Sequence, residues 1–191
     1  MIKNRRAFIV GLKSLTLSNK EIIFLKKYKP WGIILFSRNI KSIEQAKKLT
    51  DKIKKIFKDK KYPILIDQEG GRVNRLNKII SFDNLTSEYF GNLFIKDKKK
   101  FNIIYKLFID KTSYLLKTIG ANINTAPLLD LRVKGASNII GNRSFSTNKK
   151  IISKIGDKCI NIFHENSIGT VIKHIPGHGL AKVDSHKFTP V

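Results

Sequence analysis

The chain has 191 residues and a formal net charge of +24, with 38 Lys and Arg against 14 Asp and Glu. Hydrophobic residues make up 41% of the sequence, enough for a packed core, which excludes a wholly disordered basic chain. The single Cys excludes an internal disulfide framework and a multi-cysteine zinc site. Because domains usually contain about 150 residues, we expect one domain or a piece of a larger one.

The apolar runs of the chain are short. None approaches the roughly 18–20 residues that span a bilayer, so we expect no membrane segment and no membrane partner. The first residues are basic, but their apolar stretch ends at Lys13, short of the core of a secretory signal. The cytoplasm is therefore the expected compartment.

Most of the positive charge comes from lysine, and Ile, Asn and Phe are abundant beside it, a combination that A/T-rich codons produce. The lysines are spread along segments of helical periodicity rather than gathered with aromatic residues in one stripe. We therefore interpret them as solvated helix faces and do not expect a nucleic-acid partner. Nucleic-acid binding stays open as an alternative, which steeply salt-dependent DNA binding would support.

Apolar runs alternate with helical patterns along the chain. The runs predict five strands, at residues 7–12, 32–36, 64–66, 121–127 and 170–175. Helical periodicity predicts four helices, at residues 18–27, 42–58, 101–118 and 149–165. The first helix carries a capping box, Ser18 with Glu21. Two further segments are predicted to lack regular structure, a loose region at 77–100 and a loop at 135–147.

Strands that alternate with helices predict an α/β fold with a parallel sheet, either doubly wound or closed into a barrel. No G-x-G-x-x-G follows the first strand, so the dinucleotide-binding fingerprint is missing. Polar residues do follow the third, fourth and fifth strands, namely Asp67-Gln68-Glu69, Asp130 and Lys173-His174. Barrel enzymes build their sites from the carboxyl ends of several strands, which favours the barrel.

Three of the four histidines, His174, His178 and His186, lie in the last 18 residues. Asp184 precedes His186 by two residues, which in extended backbone puts both side chains on one face. A carboxylate beside an imidazole fixes its tautomer and raises its basicity, so the pair is a candidate general acid/base. A surface pair without function stays open. A metal site is not favoured, because Pro176 and its neighbouring glycines prevent the helix on which His174 and His178 would share a face.

A second candidate group follows the third strand. Asp67 comes before two glycines, which let a ligand approach the backbone, and Arg72 and Arg75 follow them. A carboxylate and a guanidinium each offer several directed hydrogen bonds, as the hydroxyls of a sugar require. A structural salt bridge at a turn is the alternative. Arg143, on the loop at 135–147, is a weaker candidate by itself.

Five stretches of the chain carry a resemblance to a known family: WGIILFSRNI (31–40), ILIDQEGGRVNRL (64–76), NINTAPLLDL (122–131), IIGNRSF (139–145) and KHIPGHGLAKVDSH (173–186). They occur in the order and approximate spacing found in the family 3 glycoside hydrolases, and they most resemble the bacterial cytoplasmic β-N-acetylglucosaminidases of cell-wall recycling. The DQEGGR and KH-x-PGHG-x4-DSH motifs are long and specific. The resemblance implies a (β/α)8 TIM-type barrel truncated after about five β/α units, with residues 1–191 forming an incomplete N-terminal catalytic domain.

The resemblance also implies an activity and assigns residues to it. It implies a retaining hydrolase that removes terminal, non-reducing β-N-acetylglucosamine from muropeptide fragments in peptidoglycan recycling. Five residues are implied to bind the sugar: Asp67, Arg75, Arg143, Lys173 and His174. His186 is implied to be the general acid/base, oriented by Asp184, a departure from the usual pair of carboxylates. The resemblance implies no cofactor and no metal, and a small carbohydrate as the partner.

The family's nucleophile is an Asp in a later strand-end motif, and none of the 191 residues matches that motif. Asp130, at the end of the fourth strand, is expected near the site, but the resemblance does not give it the role of nucleophile. We therefore expect the chain to end between the acid/base and the nucleophile and to lack the covalent step by itself. A non-catalytic sugar-binding remnant of the same fold is the alternative, which binding of N-acetylglucosamine without hydrolysis would favour.

Overall fold

The computed structural model of the protein describes residues 4–189. Residues 1–3 and 190–191, the two ends of the predicted domain, lie outside the described residues. Five strands are present in the described part: β1 (Arg6–Gly11), β2 (Pro30–Leu35), β3 (Ile64–Ile66), β4 (Ile123–Asn124) and β5 (Gly169–Thr170). The α-helices of this part are α1 (Asn19–Tyr28), α2 (Ile43–Phe57), α3 (Ser87–Lys96), α4 (Lys98–Thr118) and α5 (Lys149–Glu165).

The five strands form one parallel sheet in the order β1-β2-β3-β4-β5. Each strand therefore lies beside the next strand in the sequence, with a helical connection between them. A doubly wound sheet reverses its strand order at a switch point, and this sheet has no reversal. The order is that of a barrel wall, so the predicted α/β barrel class is confirmed for the part of the barrel that these strands form.

The central strands are the most buried, as their continuous apolar sequences predict. Ile33 and Leu35 of β2 and Ile64 and Ile66 of β3 have no solvent exposure. Such strands are covered on both faces, as in a parallel sheet flanked by helices. The outer strands β1 and β5 each pair on one side only within residues 4–189.

Two helix starts follow the sequence closely. The Ser18 side chain accepts a hydrogen bond from the backbone N–H of Glu21, and the Glu21 carboxylate accepts one from the backbone N–H of Ser18 at 2.8 Å, so the capping box is formed. Ser42 caps α2 in the same manner, accepting from Gln45 N. None of the helices described between residues 4 and 189 is both long enough and apolar enough to cross a membrane.

The region at 77–100 was predicted to be loose, and this prediction was wrong for its second half. Helix α3 occupies Ser87–Lys96, capped by Thr86, and its buried Phe90 and Phe94 are four residues apart. This short apolar stripe was obscured by the lysine run that follows it. The same run hides the start of α4, which begins at Lys98, three residues earlier than predicted.

The last two strands are shorter than the sequence suggests. β4 spans two residues rather than 121–127, and β5 ends at Thr170 rather than at Ile175. Beyond β5, Val171 N still donates to Asn124 O of β4 at 3.1 Å, and an isolated bridge then pairs Lys173 with Leu128. β4 pairs with β3, and β5 pairs with β4. Because β3 is only three residues long, it offers few backbone groups with which a longer β4 could pair, and a short β4 in turn limits β5.

Candidate active site

Side chains from the ends of β3, β4 and β5 meet at the carboxyl edge of the sheet. Asp67 directly follows β3, and Asp130 and Lys173 lie a few residues past β4 and β5. The two later segments are joined by backbone hydrogen bonds, from Leu129 N to Lys173 O at 2.7 Å and from Lys173 N to Pro127 O at 3.1 Å. This edge is where a barrel enzyme places its site.

The Lys173 ammonium is the centre of this group. Its Nζ lies 2.9 Å from Asp67 Oδ1 and 2.5 Å from Glu69 Oε1. The side chains of Lys173 and Asp67 are 12% and 21% exposed, and that of Glu69 is only 4% exposed. A lysine held between two carboxylates has a fixed position, and its remaining donor capacity is available to a ligand.

Arg143 joins this group from the loop between β4 and α5. Its Nε and Nη2 donate to Glu69 Oε2 and Oε1, both at 2.9 Å, forming a bidentate pair. The residue ends a 3-10 turn at Gly141–Arg143, and its Nη1 also donates to the Ile139 carbonyl at 3.1 Å. The loop is therefore tied to the end of β3 through a nearly buried ion pair.

Asp67 has two further neighbours. Arg75 Nη2 lies 3.6 Å from Asp67 Oδ2, and the Thr125 hydroxyl donates to Asp67 Oδ1. Arg72, which the sequence grouped with Asp67 and Arg75, does not join them. It donates instead to carbonyls of the 135–147 loop, at 2.6 Å to Ile139 and 2.7 Å to Asn138. Its role in the structure is to support that loop.

The two carboxylates of the group stay ionised in spite of their burial. Burial raises the pKa of Asp67, but Lys173, the Thr125 hydroxyl and Arg75 outweigh it and bring the pKa below its usual value. Burial likewise raises the pKa of Glu69, and its bonds to Arg143 and Lys173 lower that pKa by more. The cluster thus contains two anions and three cations packed within a small volume.

His174 is oriented by a different carboxylate. Its Nδ1 lies 2.5 Å from Asp130 Oδ2, and its backbone N–H donates to the same oxygen at 3.3 Å. The Asp130 side chain is fully buried, whereas the His174 side chain is 40% exposed. The imidazole therefore projects from a buried anchor towards solvent beside Lys173.

Asp184 and His186 form the predicted pair, although by a different local geometry. His186 Nδ1 lies 2.8 Å from Asp184 Oδ1, and the backbone N–H of His186 donates to the same oxygen at 2.9 Å. The expected extended backbone was wrong, because Lys187 and Phe188 both donate backbone N–H groups to the Asp184 carbonyl and close a turn. An Asp side chain commonly bonds to the backbone two residues on in such turns.

The structure brings four predicted sugar-binding residues into one bonded network: Asp67, Arg75, Arg143 and Lys173. His174 lies next to this network because it follows Lys173 in the sequence. The pair formed by Asp184 and His186 stands apart on an exposed loop, with the His186 side chain 83% exposed, and no hydrogen bond from it to the network is found between residues 4 and 189. The roles assigned to all seven residues stay predictions.

Two important side chains were missed as site residues, Glu69 and Asp130. Glu69 follows Asp67 by two residues, a spacing that in extended backbone places both on one face, so the alternation could have identified it. Asp130 was noted only as a strand-end residue. Its partners lie more than 40 residues away in the chain, and no local sequence pattern indicates them.

No cluster of three or more His, Cys, Asp or Glu side chains suited to a metal ion is found within residues 4–189. The acidic residues of the site are instead bonded to Lys, Arg and His side chains. These arrangements match hydrogen-bonded recognition of a polar ligand.

Comparisons with known proteins agree on one family. The sequence model for the glycosyl hydrolase family 3 N terminal domain matches residues 9–191. A β-hexosaminidase of Hydrogenovibrio crunogenus is 32% identical over 178 residues, which cover 93% of this chain and 49% of that protein. A β-hexosaminidase of Thioalkalivibrio sulfidiphilus is 28% identical over 184 residues, covering 96% of this chain and 52% of that protein. The chain spans about half the length of these relatives.

Solved structures give the same result. NagZ from Neisseria gonorrhoeae in complex with N-trifluoroacetyl-D-glucosamine superposes with a TM-score of 0.87 at 28% identity, covering 97% of this chain and 54% of that chain. A glycoside hydrolase family 3 β-N-acetylglucosaminidase from Paenibacillus superposes with a TM-score of 0.81 at 27% identity, covering 94% of this chain and 33% of that chain.

Proposed function

Because the chain belongs to glycosyl hydrolase family 3 and matches the N-terminal domain of that family, we propose that it forms part of a β-N-acetylhexosaminidase. Its site binds the terminal, non-reducing N-acetylglucosamine of a β-linked saccharide. The observation that carries this proposal is the ion-pair network of Lys173, Asp67, Glu69 and Arg143 at the carboxyl edge of the sheet. The similar NagZ solved with N-trifluoroacetyl-D-glucosamine supports this class of ligand.

The network offers a sugar both hydrogen-bond donors and hydrogen-bond acceptors. Asp67 accepts bonds from hydroxyls, while Lys173 and Arg75 donate to hydroxyl or carbonyl oxygens. Each of these groups is already held by a partner, so little side-chain freedom is lost when a ligand binds. Arg143 acts here through Glu69, whose carboxylate it holds in place.

His186 is the proposed general acid/base of a retaining double displacement. Its Nδ1 bonds to Asp184, which leaves Nε2 to exchange the proton. In the first step, Nε2–H protonates the oxygen of the leaving group while a carboxylate nucleophile bonds to the anomeric carbon. In the second step, Nε2 takes a proton from water as that water displaces the nucleophile.

The nucleophile of this scheme is proposed to come from residues outside these 191. The proposal is supported by the lack of a matching Asp motif in the sequence and by the share of the relatives that the chain spans. Asp130 is not a substitute, because its side chain is buried and bonded to His174 and His178.

The wider setting is proposed from the resemblance alone. It is the release of N-acetylglucosamine from muropeptide fragments in peptidoglycan recycling, in the cytoplasm.

Chemical rescue tests the proposed roles on the chain as it exists. A phenyl β-N-acetylglucosaminide, whose leaving oxygen needs a proton, is supplied with sodium azide in place of the missing nucleophile. Azide bonds to the anomeric carbon as the bond to the phenolic oxygen breaks, and His186 protonates that oxygen. We expect phenol and glycosyl azide only when azide is present, and their loss in His186→Asn. Robust turnover without azide, or a trapped glycosyl-enzyme, would show that the nucleophile lies within the 191 residues.

The same experiment separates the alternative, a non-catalytic sugar-binding remnant. That alternative predicts calorimetric binding of N-acetylglucosamine and no release with or without azide. The exposed position of His186, away from the bonded network, is the observation that keeps it in consideration. If neither binding nor azide-dependent release occurs, the sugar assignment itself is wrong.

A further inference from the structure

The Asp130 carboxylate is the most buried acidic group of the site, and it bonds to the segment that follows β5. It follows β4, and its side chain has no solvent exposure. Oδ2 accepts from Nδ1 and the backbone N–H of His174, and Oδ1 accepts from the backbone N–H of His178. One carboxylate therefore receives three hydrogen bonds from the segment that leads to the Asp184–His186 loop.

The charge state of Asp130 determines which nitrogen of His174 carries a proton. Burial raises the pKa of Asp130, but the bonds from His174 and His178 outweigh it, so the pKa lies below its usual value and the group is ionised at neutral pH. An ionised carboxylate only accepts hydrogen bonds, so Nδ1 of His174 carries the proton. Nε2 is then the ring nitrogen available to a ligand.

The backbone next to Asp130 packs closely against the segment that Asp130 binds. A Cβ on Gly179 would lie 2.2 Å from the Leu131 carbonyl oxygen, so the chain passes close to the end of β4 at this point. The segment is also tied to the 135–147 loop, because Ser137 N donates to Ala181 O at 2.8 Å.

A second contact extends the connection from this segment to the acid/base pair. His178 Nε2 lies 3.2 Å from the hydroxyl of Ser185, which sits between Asp184 and His186 in the sequence. The backbone of His178 is held by Asp130, and its side chain reaches the turn that carries the pair. A continuous series of contacts thus runs from Asp130 to the turn.

We propose that Asp130 is a positioning residue with two effects. It fixes the tautomer and orientation of His174, and it anchors the start of the loop that carries Asp184 and His186. Its importance for sugar binding rests on the function proposed above. Its effect on the two histidine segments does not, because that effect is a property of the protein without ligand.

The test is nitrogen NMR of the unliganded protein, with Asp130→Asn as the variant. The amide has nearly the same shape but only one acceptor oxygen, so it cannot accept from both His174 and the backbone N–H of His178. At a pH where imidazoles are neutral, we expect His174 of the wild type to be a single Nδ1–H tautomer. In the variant we expect a mixed or reversed tautomer, or shifted and broadened amide signals at 178–188.

The matched control is Asp157→Asn, which makes the same change of charge on the exposed face of α5. It is expected to leave both readouts at their wild-type values. Ser185→Ala removes the hydroxyl that His178 Nε2 contacts and keeps the longer bond from Ser185 N to the same nitrogen, at 3.5 Å. It is therefore expected to change the amide signals of the loop and leave the His174 tautomer unchanged. This variant separates the two parts of the proposal.

Two results would overturn the inference. One is a wild-type His174 protonated at Nε2, which can be read even if the Asp130 variant fails to fold. The other is an Asp130→Asn protein with the wild-type tautomer and wild-type loop signals. Calorimetry with N-acetylglucosamine adds the functional readout, with affinity expected to fall about 10-fold or more in the variant. Absence of binding by the wild type would contradict the proposed function and leave the NMR result standing.

Discussion

Glu69 and Arg143, 74 residues apart in the sequence, form a two-bond ion pair in which both N–O distances are 2.9 Å. The pair fastens the 135–147 loop to the end of β3. The same carboxylate also holds Lys173, so one nearly buried anion fixes two of the cations proposed to act at the sugar site.

The first prediction concerns the loss of this anion. Glu69→Ala leaves Arg143 and Lys173 without their shared partner in a nearly buried position, so the free energy of unfolding is expected to fall by about 3–5 kcal/mol. Urea unfolding followed by circular dichroism measures it. Glu165→Ala, at the exposed end of α5, is the control and should change stability by less than about 0.5 kcal/mol. A similar small loss for both variants would contradict the proposed importance of the pair.

The second prediction is a loss of stability in acid. The pKa values of Asp67 and Glu69 are lowered in the folded protein, so these groups stabilise it above the pKa values of the unfolded chain, near 4. That contribution disappears as the pH falls through this range towards the folded-state pKa values. Urea unfolding between pH 7 and pH 3 should show a decline that is less steep in Glu69→Gln than in Glu165→Gln. Parallel curves would contradict the assignment.

The third prediction uses two helical glycines. A Cβ on Gly91 would lie 1.6 Å from the backbone oxygen of Phe145, whereas one on Gly156 would meet only the flexible end of the Leu129 side chain, at 2.7 Å. Gly91→Ala must therefore displace the backbone two residues from Arg143, at an expected cost of about 1–3 kcal/mol. Gly156→Ala is expected to stay within about 1 kcal/mol of the wild type, because alanine favours helix formation. Thermal or urea unfolding compares them, and equal losses would count against this packing.

The fourth prediction concerns the lysine between the two carboxylates. Lys173→Met keeps most of the side-chain length and removes the charge that both Asp67 and Glu69 contact. Affinity for N-acetylglucosamine is expected to fall about 10-fold or more, since a bond to a charged group contributes about 1.5–3 kcal/mol. Calorimetry measures the affinity, with Lys158→Met on the exposed face of α5 as the control. Unchanged affinity in Lys173→Met would place the ligand elsewhere.

The sequence predicted well what depends on local patterns. The capping box of Ser18 and Glu21, the buried strand at Ile64–Ile66 and the helix at Lys149–Glu165 all follow from spacing within a few residues. The parallel sheet also follows, because strands and helices alternate regularly, and the polar residues after several strand ends favoured the barrel over the doubly wound sheet.

Several of the predictions that failed depend on contacts between distant segments. Residues 171–175 have the composition of a strand, but β5 ends at Thr170. Arg72 and Arg75 have similar neighbours in the sequence. Arg72 donates to carbonyls of the 135–147 loop only because that loop lies beside it in the fold. Asp130 likewise bonds to His174 and His178, which lie beyond α5 in the sequence.

The central claim is that N-acetylglucosamine binds at the carboxyl edge of this sheet, and amide NMR titration of the 191-residue chain tests it most directly. With the sugar added, signal shifts are expected to concentrate at residues 67–75, at Arg143 and at residues 173–174, and equal concentrations of glucose are expected to produce much smaller shifts. Shifts that are absent, that lie on another surface, or that are as large with glucose would contradict the account.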